Sequence, residues 1–380
     1  MSVAELLEGK RVCVCGGSGG VGKTTTSAAI ALGMAAAGLK VGVVTIDPAR
    51  RLANALGLAE LDNEPRRVET ERLERHGLEM AGELWAMMLD PKRTFDELIE
   101  RIAPDPERAA EIKRNRVYAE LSTAVSGSQE FTAIAKLYDL DQQHEFDLLV
   151  LDTPPSRNAL EFLNAPGRLS SFLEGRALKA FIRPTGLGMR VLGRSATPVL
   201  AALRRVTGVD LLADLSTFFQ LLGDMTGDFS LRAAEVERLL RADTTAFLLV
   251  TSCQHAPLDE AIWFHRTLVE GGFPFAGVVV NRFHHDLLGD REPGDLLAAV
   301  GRTLRPELAE QVADNFRDYH VLARRDDRNL ARLVARLPGA PLVVPYLDDD
   351  VHDVDGLLRV RRYLFAPRHE RERLLADVVA

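Results

Sequence analysis

The sequence predicts an α/β fold: a mainly parallel sheet of about seven to eight strands, with helices on both faces and a helical insertion subdomain. Two observations predict it. Near-continuous apolar runs of strand length recur along the chain with helical stretches between them, the pattern of strands covered on both faces. The first of these runs opens into a glycine-rich turn and then a helix-favouring stretch. Only one such turn exists and no internal repeat is visible, so a single domain over residues 1–380 with two insertions is expected.

The strand-like runs cover residues 11–15, 41–46, 84–89, 146–151, 246–251, 275–280 and 341–345. Residues 24–37 are rich in Ala, Leu, Ile and Met, which favour helix. The apolar stretch 28–39 contains Gly33 and Gly38, follows the glycine turn, and reads as a buried helix. The first insertion, residues 166–242, is helical in pattern, basic before Arg205 and acidic from Asp210 to Asp228. Its apolar residues Phe172, Leu173, Phe181, Ile182, Phe218, Phe219, Leu221 and Leu222 either line a groove or pack among themselves. The second insertion, residues 283–337, is charged and helical, with His284 and His285 expected at a solvated helix start. The tail from Arg368 reads as a surface helix.

The glycine turn carries the chemistry. Gly17, Ser18, Gly19, Gly20, Val21, Gly22, Lys23, Thr24 and Thr25 contain G-x-x-x-x-G-K-[ST] between a strand and a helix. Glycines permit tight curvature, so that backbone N–H groups converge on phosphates at the positive end of the helix. Lys23 is placed for the β- and γ-phosphates and the Thr24 hydroxyl for Mg²⁺. The fold class is accordingly a P-loop nucleoside triphosphatase. The run Phe146 to Asp152 is an apolar strand ending in a carboxylate, suited to hold Mg²⁺ with Thr24. Thr153-Pro154-Pro155-Ser156 follows, a segment of the kind that senses a γ-phosphate. Asp47, at the end of the second strand, admits two readings: a carboxylate that orients the attacking water, or an N-cap with Pro48 at the first helical position. Asn281 ends another strand, where its amide suits either a purine edge or a turn.

Composition narrows the class further. Net charge is −8, against general nucleic-acid binding, which needs a basic field. Hydrophobic residues make up 46% of the chain, ample for a core. The three cysteines, Cys13, Cys15 and Cys253, form no C-x-x-C pair and fit a reducing cytoplasm. Cys13 and Cys15 share one strand face and are expected in the core. No secretory leader is visible and no apolar run has spanning length, so a cytoplasmic location is expected, with peripheral contact to a membrane left open.

These residues together resemble the ArsA-type ATPases, a family of arsenite-pump ATPases and targeting factors for tail-anchored membrane proteins, related to MinD and ParA proteins. The matching residues are Gly19 to Thr25, Thr45 to Ala49, Asp152 to Pro155, Val280-Asn281-Arg282 and Val344-Pro345-Tyr346 leading to Val351 and Gly356. The resemblance reaches from about residue 11 to 363, and within the family the chain looks most like the actinobacterial ArsA-like ATPases that occur as paired, non-identical chains. It implies ATP with Mg²⁺, Asp47 as the water-activating residue of a first switch, Asp152 at the start of a second, and adenine held by Asn281 with Pro345 and Tyr346. It also implies a homodimer, or a heterodimer with a lysine-bearing paralogue, that couples closing and opening to a hydrophobic client or membrane partner through residues 166–242.

Three departures stand against that pattern. Ser18 occupies the place of a second loop lysine that reaches across the dimer. Such a trans cation contributes roughly 10³–10⁵ in rate, or about 4–7 kcal/mol. Either a partner chain brings the lysine, another cation such as Arg50, Arg51 or Arg157 substitutes, or hydrolysis is slow and the chain is a regulatory subunit. The zinc-binding C-x-x-C of the targeting factors is absent, so no zinc is expected, and the arsenite-binding cysteines have no counterpart. A spatial organiser of the MinD or ParA kind is a less favoured alternative, and no nucleic-acid partner is expected.

Overall fold

The structure is a computed structural model that describes residues 1–47, 49–118, 128–153, 217–218, 220–223, 225–287, 302 and 304–377. It divides into two compact units. One comprises Met1–Met87, Glu145–Ala159 and Asp243–Ala380; the other Met88–His144 and Leu160–Ala242.

The first unit is built on an eight-stranded sheet. In chain order its strands are β1 (Val12–Gly16), β2 (Lys40–Thr45), β3 (Arg66–Arg67), β4 (Glu83–Met88), β5 (Leu148–Asp152), β6 (Thr245–Thr251), β7 (Phe275–Phe283) and β8 (Leu342–Pro345). Their order across the sheet is β3-β4-β2-β5-β1-β6-β7-β8. From β2 to β8 each described pairing is parallel, whereas β3 runs antiparallel to β4. This is the mostly parallel α/β sheet that the apolar runs predict. β1, β5 and β6 are buried at every position, because helices cover both faces. All seven expected runs are strands. β3 is additional, an exposed two-residue edge. β7 continues beyond Val280 to Phe283, with a register shift against β8 and Arg282 in the left-handed region at φ 57°.

Register brings the chemistry together. Asp152 at the end of β5 lies opposite both Cys15 of β1 and Thr45 of β2. Paired strands are about 5 Å apart, so the ends of these three converge, at the carboxyl edge where α/β sheets bind ligands. The helix Lys23–Ala36 leaves the glycine turn and is buried along most of its length, including Ala28, Ile30, Leu32 and Ala35. At Gly33 the Phe365 ring lies so close that no Cβ would fit, which seats the helix Val354–Phe365 against it. Cys13 and Cys15 are core residues of β1, as their shared face predicts.

Two expectations for the first unit change. His284 does not begin a helix. It follows the end of β7, and both its backbone N–H and its ring Nδ1 meet the buried Asp326 carboxylate of the helix Pro306–Val334. The tail helix Arg368–Asp377 is also more than a surface helix. Arg371 is 5% exposed and donates to the carbonyls of Tyr363, Ala366 and Met1, so it anchors the tail.

The second unit is helical where described, with helices Pro91–Ile102, Pro106–Arg114, Ser128–Gln143 and Thr226–Arg241. Its core gathers Ile99, Ile112, Tyr118, Phe218, Leu221, Leu222, Met225 and Phe229. Phe218, Leu221 and Leu222 are therefore core residues, not the lining of a groove. Amphipathic segments bury their apolar stripe when a matching one is at hand, and here Tyr118 and Ile112 supply it. Phe172, Leu173, Phe181, Ile182 and Phe219 lie outside the described residues, as does most of the 166–242 segment. Of the 283–337 segment, the helix Pro306–Val334 is the main described part.

Candidate functional site

The glycine turn takes its shape from three left-handed positions, Gly17, Gly20 and Gly22. Two of them are also closed to any side chain. A Cβ at Gly17 would collide with the Val250 carbonyl of β6, and one at Gly22 with the Asn281 amide. Gly22 is the N-cap of the helix Lys23–Ala36 and supplies no side-chain cap, so the first-turn N–H groups stay available to an anion. A cavity of about 480 Å³ opens there, lined by Gly20, Gly22, Lys23, Thr24, Thr25, Asp47, Arg51, Thr153, Asn281, Arg282, Pro345 and Tyr346, among others.

At the glycine-turn end of the cavity, Lys23 is 6% exposed and its Nζ donates to the Ser18 carbonyl at 2.8 Å. Burial lowers the Lys23 pKa, opposed by the charges of Asp152 and Asp47. Asp152 is 1% exposed. Its Oδ2 accepts from the Thr24 hydroxyl at 2.7 Å and the Thr45 hydroxyl at 2.8 Å. Burial pushes its carboxyl up to about 6, and the hydrogen bonds from Thr24 and Thr45 and the charge of Lys23 hold it back. Asp152 Oδ1 is buried without a hydrogen-bond partner. A buried carboxylate oxygen left unpaired beside a threonine hydroxyl suits a hard divalent cation with its retained waters. Thr24 and Asp152 therefore fit Mg²⁺, with Asp152 standing behind Thr24 rather than on the cavity wall.

Asp47 lines the same cavity, and the capping reading of it fails. The helix that follows begins at Arg51, with Arg50 as its cap residue. Asp47 instead accepts from the Ala49 N–H at 3.0 Å, donates its own N–H to the Thr45 hydroxyl at 3.2 Å, and faces Arg51 Nη1 at 3.5 Å. Pro48 and the stretch Pro154-Pro155-Ser156, with Arg157, lie outside the described residues. Thr153, within them, donates its hydroxyl to the Cys15 carbonyl at 2.8 Å.

At the other end, Asn281 is buried and its Nδ2 donates to the Val21 carbonyl at 2.9 Å, which ties β7 to the glycine turn. Arg282 Nη1 donates to the Gly20 carbonyl at 3.3 Å. Tyr346 is 52% exposed and stacks on His284, ring centroids 5.1 Å apart. The cavity thus has a charged, buried end at Lys23 and Asp47 and an aromatic rim at Tyr346. Ser18 faces away from it: its hydroxyl donates to the Glu260 carboxylate on the helix His255–Glu270. Thr45, which holds Asp152, and Glu260, which holds Ser18 beside the glycine turn, are residues that motif reading left without a role. The register of β2 against β5 accounts for Thr45, while Glu260 has no local signal in sequence.

A model of the family described as anion-transporting ATPase (ArsA) matches residues 10–325. The chain belongs to this ATPase family. Its relatives include the ATPase Get3 of Schizosaccharomyces japonicus, 25% identical over 308 residues, or 81% of this chain and 84% of that protein. The Get3 of Schizosaccharomyces pombe is 26% identical over 81% of this chain and 82% of its own length. That of Malassezia globosa is 27% identical over 356 residues, 93% of this chain and 90% of that protein. As an ArsA-family member the chain is an ATP-hydrolysing enzyme. Among the described residues no helix is long and apolar enough to cross a membrane.

Proposed function

We propose that this chain binds ATP with Mg²⁺ at the glycine turn, hydrolyses it with Asp47 as the water-orienting carboxylate, and couples the cycle to closing and opening of a dimer. One observation carries the reading most directly: Lys23, Thr24 and Asp47 line one cavity at neighbouring strand ends, and Asp152 backs Thr24 there with a buried carboxylate oxygen unpaired. In this reading the N–H groups of Gly20 to Thr25 and the Lys23 ammonium cradle the phosphates, Thr24 and Asp152 hold Mg²⁺, and Asn281, Pro345 and Tyr346 border the adenine. Held by Thr24 and Asp152, Mg²⁺ would supply Lewis-acid polarisation of the phosphoryl oxygens. Asp47 accepts a hydrogen bond from the attacking water and aligns it with the γ-phosphorus. The Pγ–O bond to the β-phosphate breaks with its electron pair, giving ADP and inorganic phosphate.

The client or membrane partner belongs to the 166–242 segment in this reading, by analogy of position within the family. Whether the dimer is homotypic or pairs the chain with a lysine-bearing paralogue turns on Ser18, whose hydroxyl is engaged by Glu260 and which carries no charge to reach across an interface. The test is calorimetry with ATP and Mg²⁺ on the intact chain, on Lys23→Ala, and on the chain mixed with its paralogue, followed by phosphate release. Binding by the intact chain and its loss in Lys23→Ala supports the site. Absence of binding in both sinks it. Turnover confined to the mixture favours the heterotypic pair.

A further inference from the structure

Three lysine or arginine side chains line the nucleotide cavity among the described residues: Lys23, Arg51 and Arg282. Two of them already contact the glycine turn. Lys23 donates to the Ser18 carbonyl and Arg282 to the Gly20 carbonyl. Arg51 is different. It stands on the Asp47 side, 3.5 Å from Asp47 Oδ2, with its side chain 66% exposed against 18% for Asp47. Its charge reaches Lys23, where it acts with burial to lower that amine's pKa.

The pair is four residues apart, yet it is not an ordinary helix-surface pair, because Asp47 lies outside the helix Arg51–Ala55. The connecting residue Arg50 is held at φ 54°, in the left-handed region that non-glycine residues seldom occupy. That turn sends the two neighbouring arginines to different surroundings. Arg50 meets Glu60 at 3.6 Å and does not line the cavity; Arg51 does. Meanwhile Ser18 gives no cation at the phosphates and turns to Glu260.

We propose that Arg51 is a catalytic cation supplied in cis to the terminal phosphate, an inference that rests on the ATPase reading above. In the structure its guanidinium faces the Asp47 carboxylate. A triphosphate in the cavity offers it a bidentate, more highly charged partner. Transfer of Arg51 to the γ-phosphate oxygens does two things at once. It neutralises charge that spreads over those oxygens as the Pγ–O bond to the β-phosphate breaks, and it frees the Asp47 carboxylate to hold the attacking water. Arg51 neither gives nor takes a proton; the water's proton leaves with the products, ADP and inorganic phosphate. ADP lacks the group that Arg51 recognises, so the arginine separates ATP from ADP.

The test uses full-length chains, Arg51→Ala and Arg51→Lys, with ADP and ATP binding read by calorimetry and turnover by phosphate release. Arg51→Ala is expected to keep the ADP affinity within about twofold, to weaken ATP relative to ADP, and to lower turnover by about 10³-fold, the low end for arginine-finger loss. Arg51→Lys is expected to recover part of the rate, since charge returns without the planar fork. Mixing Arg51→Ala with Lys23→Ala chains decides between cis and trans action. No recovery is expected, because the only competent loop then lacks its own arginine. Recovery on mixing, an unchanged rate in Arg51→Ala, or an equal loss of ADP and ATP affinity would each overturn the proposal. An unaltered chain that takes up no ATP sinks the ATPase reading itself, and is recognised before any variant is made.

Discussion

Asp-Pro occurs at three places in this chain, and the two units use it differently. In the helical unit, Asp90 and Asp105 each cap the helix that follows, with proline in the first turn and the carboxylate accepting the N–H three residues on, at 2.7 Å from Arg93 and Arg108. In the sheet unit, Asp47 accepts the N–H two residues on, meets Arg51, and faces a cavity at the ends of β1, β2 and β5. The dipeptide is the same, and the surroundings decide its use. A cap carboxylate is satisfied by its own helix, so it has little left to offer a ligand. Asp47 lies beside a buried lysine, next to a carboxylate with an unpaired oxygen, where charge is left over for chemistry.

Neutralising each aspartate in turn separates the two uses. Asp47→Asn is expected to lower turnover by about 10²–10⁴-fold, the range for loss of a side chain positioned on the reacting water's proton, while nucleotide affinity stays close to that of the unaltered chain. Asp90→Asn, at a position where Asn caps as well as Asp, is expected to leave turnover within about twofold. Equal effects on phosphate release from the two variants would erase the distinction between chemistry and capping.

A second test concerns what the helical unit is for. Phe218 is 4% exposed and packs at 6.5 Å between ring centroids from Tyr118, within the core of that unit. Phe218→Ala is expected to cost about 3–5 kcal/mol of stability, the usual loss for a buried phenylalanine, measured by urea denaturation. An open client groove at this position would instead lose well under 1 kcal/mol and lose client binding first.

How much of this was legible in sequence follows the range of the interactions. The strands were readable because burial on both faces writes a continuous apolar run, and the glycine turn because its residues follow one another within a single local motif. β3 was not, since Arg66 and Arg67 are exposed and carry no pattern. Asp47 was readable as a residue and not as a role. Its three-residue neighbourhood also fits a cap, and that reading fails only because the next helix starts at Arg51, with Arg50 as its cap residue. His284 was misplaced because its partner Asp326 is 42 residues away. The Ser18–Glu260 bond joins positions 242 apart, beyond any local period.

Gly22 joins the two ends of the cavity, and its replacement has a smaller expected effect. Gly22→Ala must hold φ near 91° with a Cβ against the Asn281 amide. The expected cost is about 1–3 kcal/mol of stability, the usual range for a strained backbone position, together with weaker nucleotide binding as the Asn281–Val21 bond opens. Restoring room with Asn281→Gly in the same chain should recover stability in part and binding less, since the strand-to-loop tie stays lost. Full recovery of both by the double variant would show that Asn281 has no part in shaping the loop.

The smallest expected effect is on the cysteines, and it tests how tightly the sheet unit confines its reactive polar surface to the cavity. Cys13, Cys15 and Cys253 are all buried. Burial pushes the Cys253 thiol up to about 12, and the neighbouring Cys15 with burial holds Cys13 well above its ordinary value. The proton therefore stays on sulfur through neutral pH, and the thiolate fraction of Cys253 at pH 8 is roughly 10⁻⁴. Its reactivity should rise as pH climbs toward 12 and fall below that. With native chain at pH 8, iodoacetamide is expected to modify none of the three cysteines over the time that unfolded chain takes to modify all of them, as read by intact mass. Prompt modification of Cys253 alone would mean that the end of β6 opens in solution. The loop that lies against Val250 would then be less rigid than its glycines imply, and the contrast between a fixed glycine turn and its surroundings would weaken.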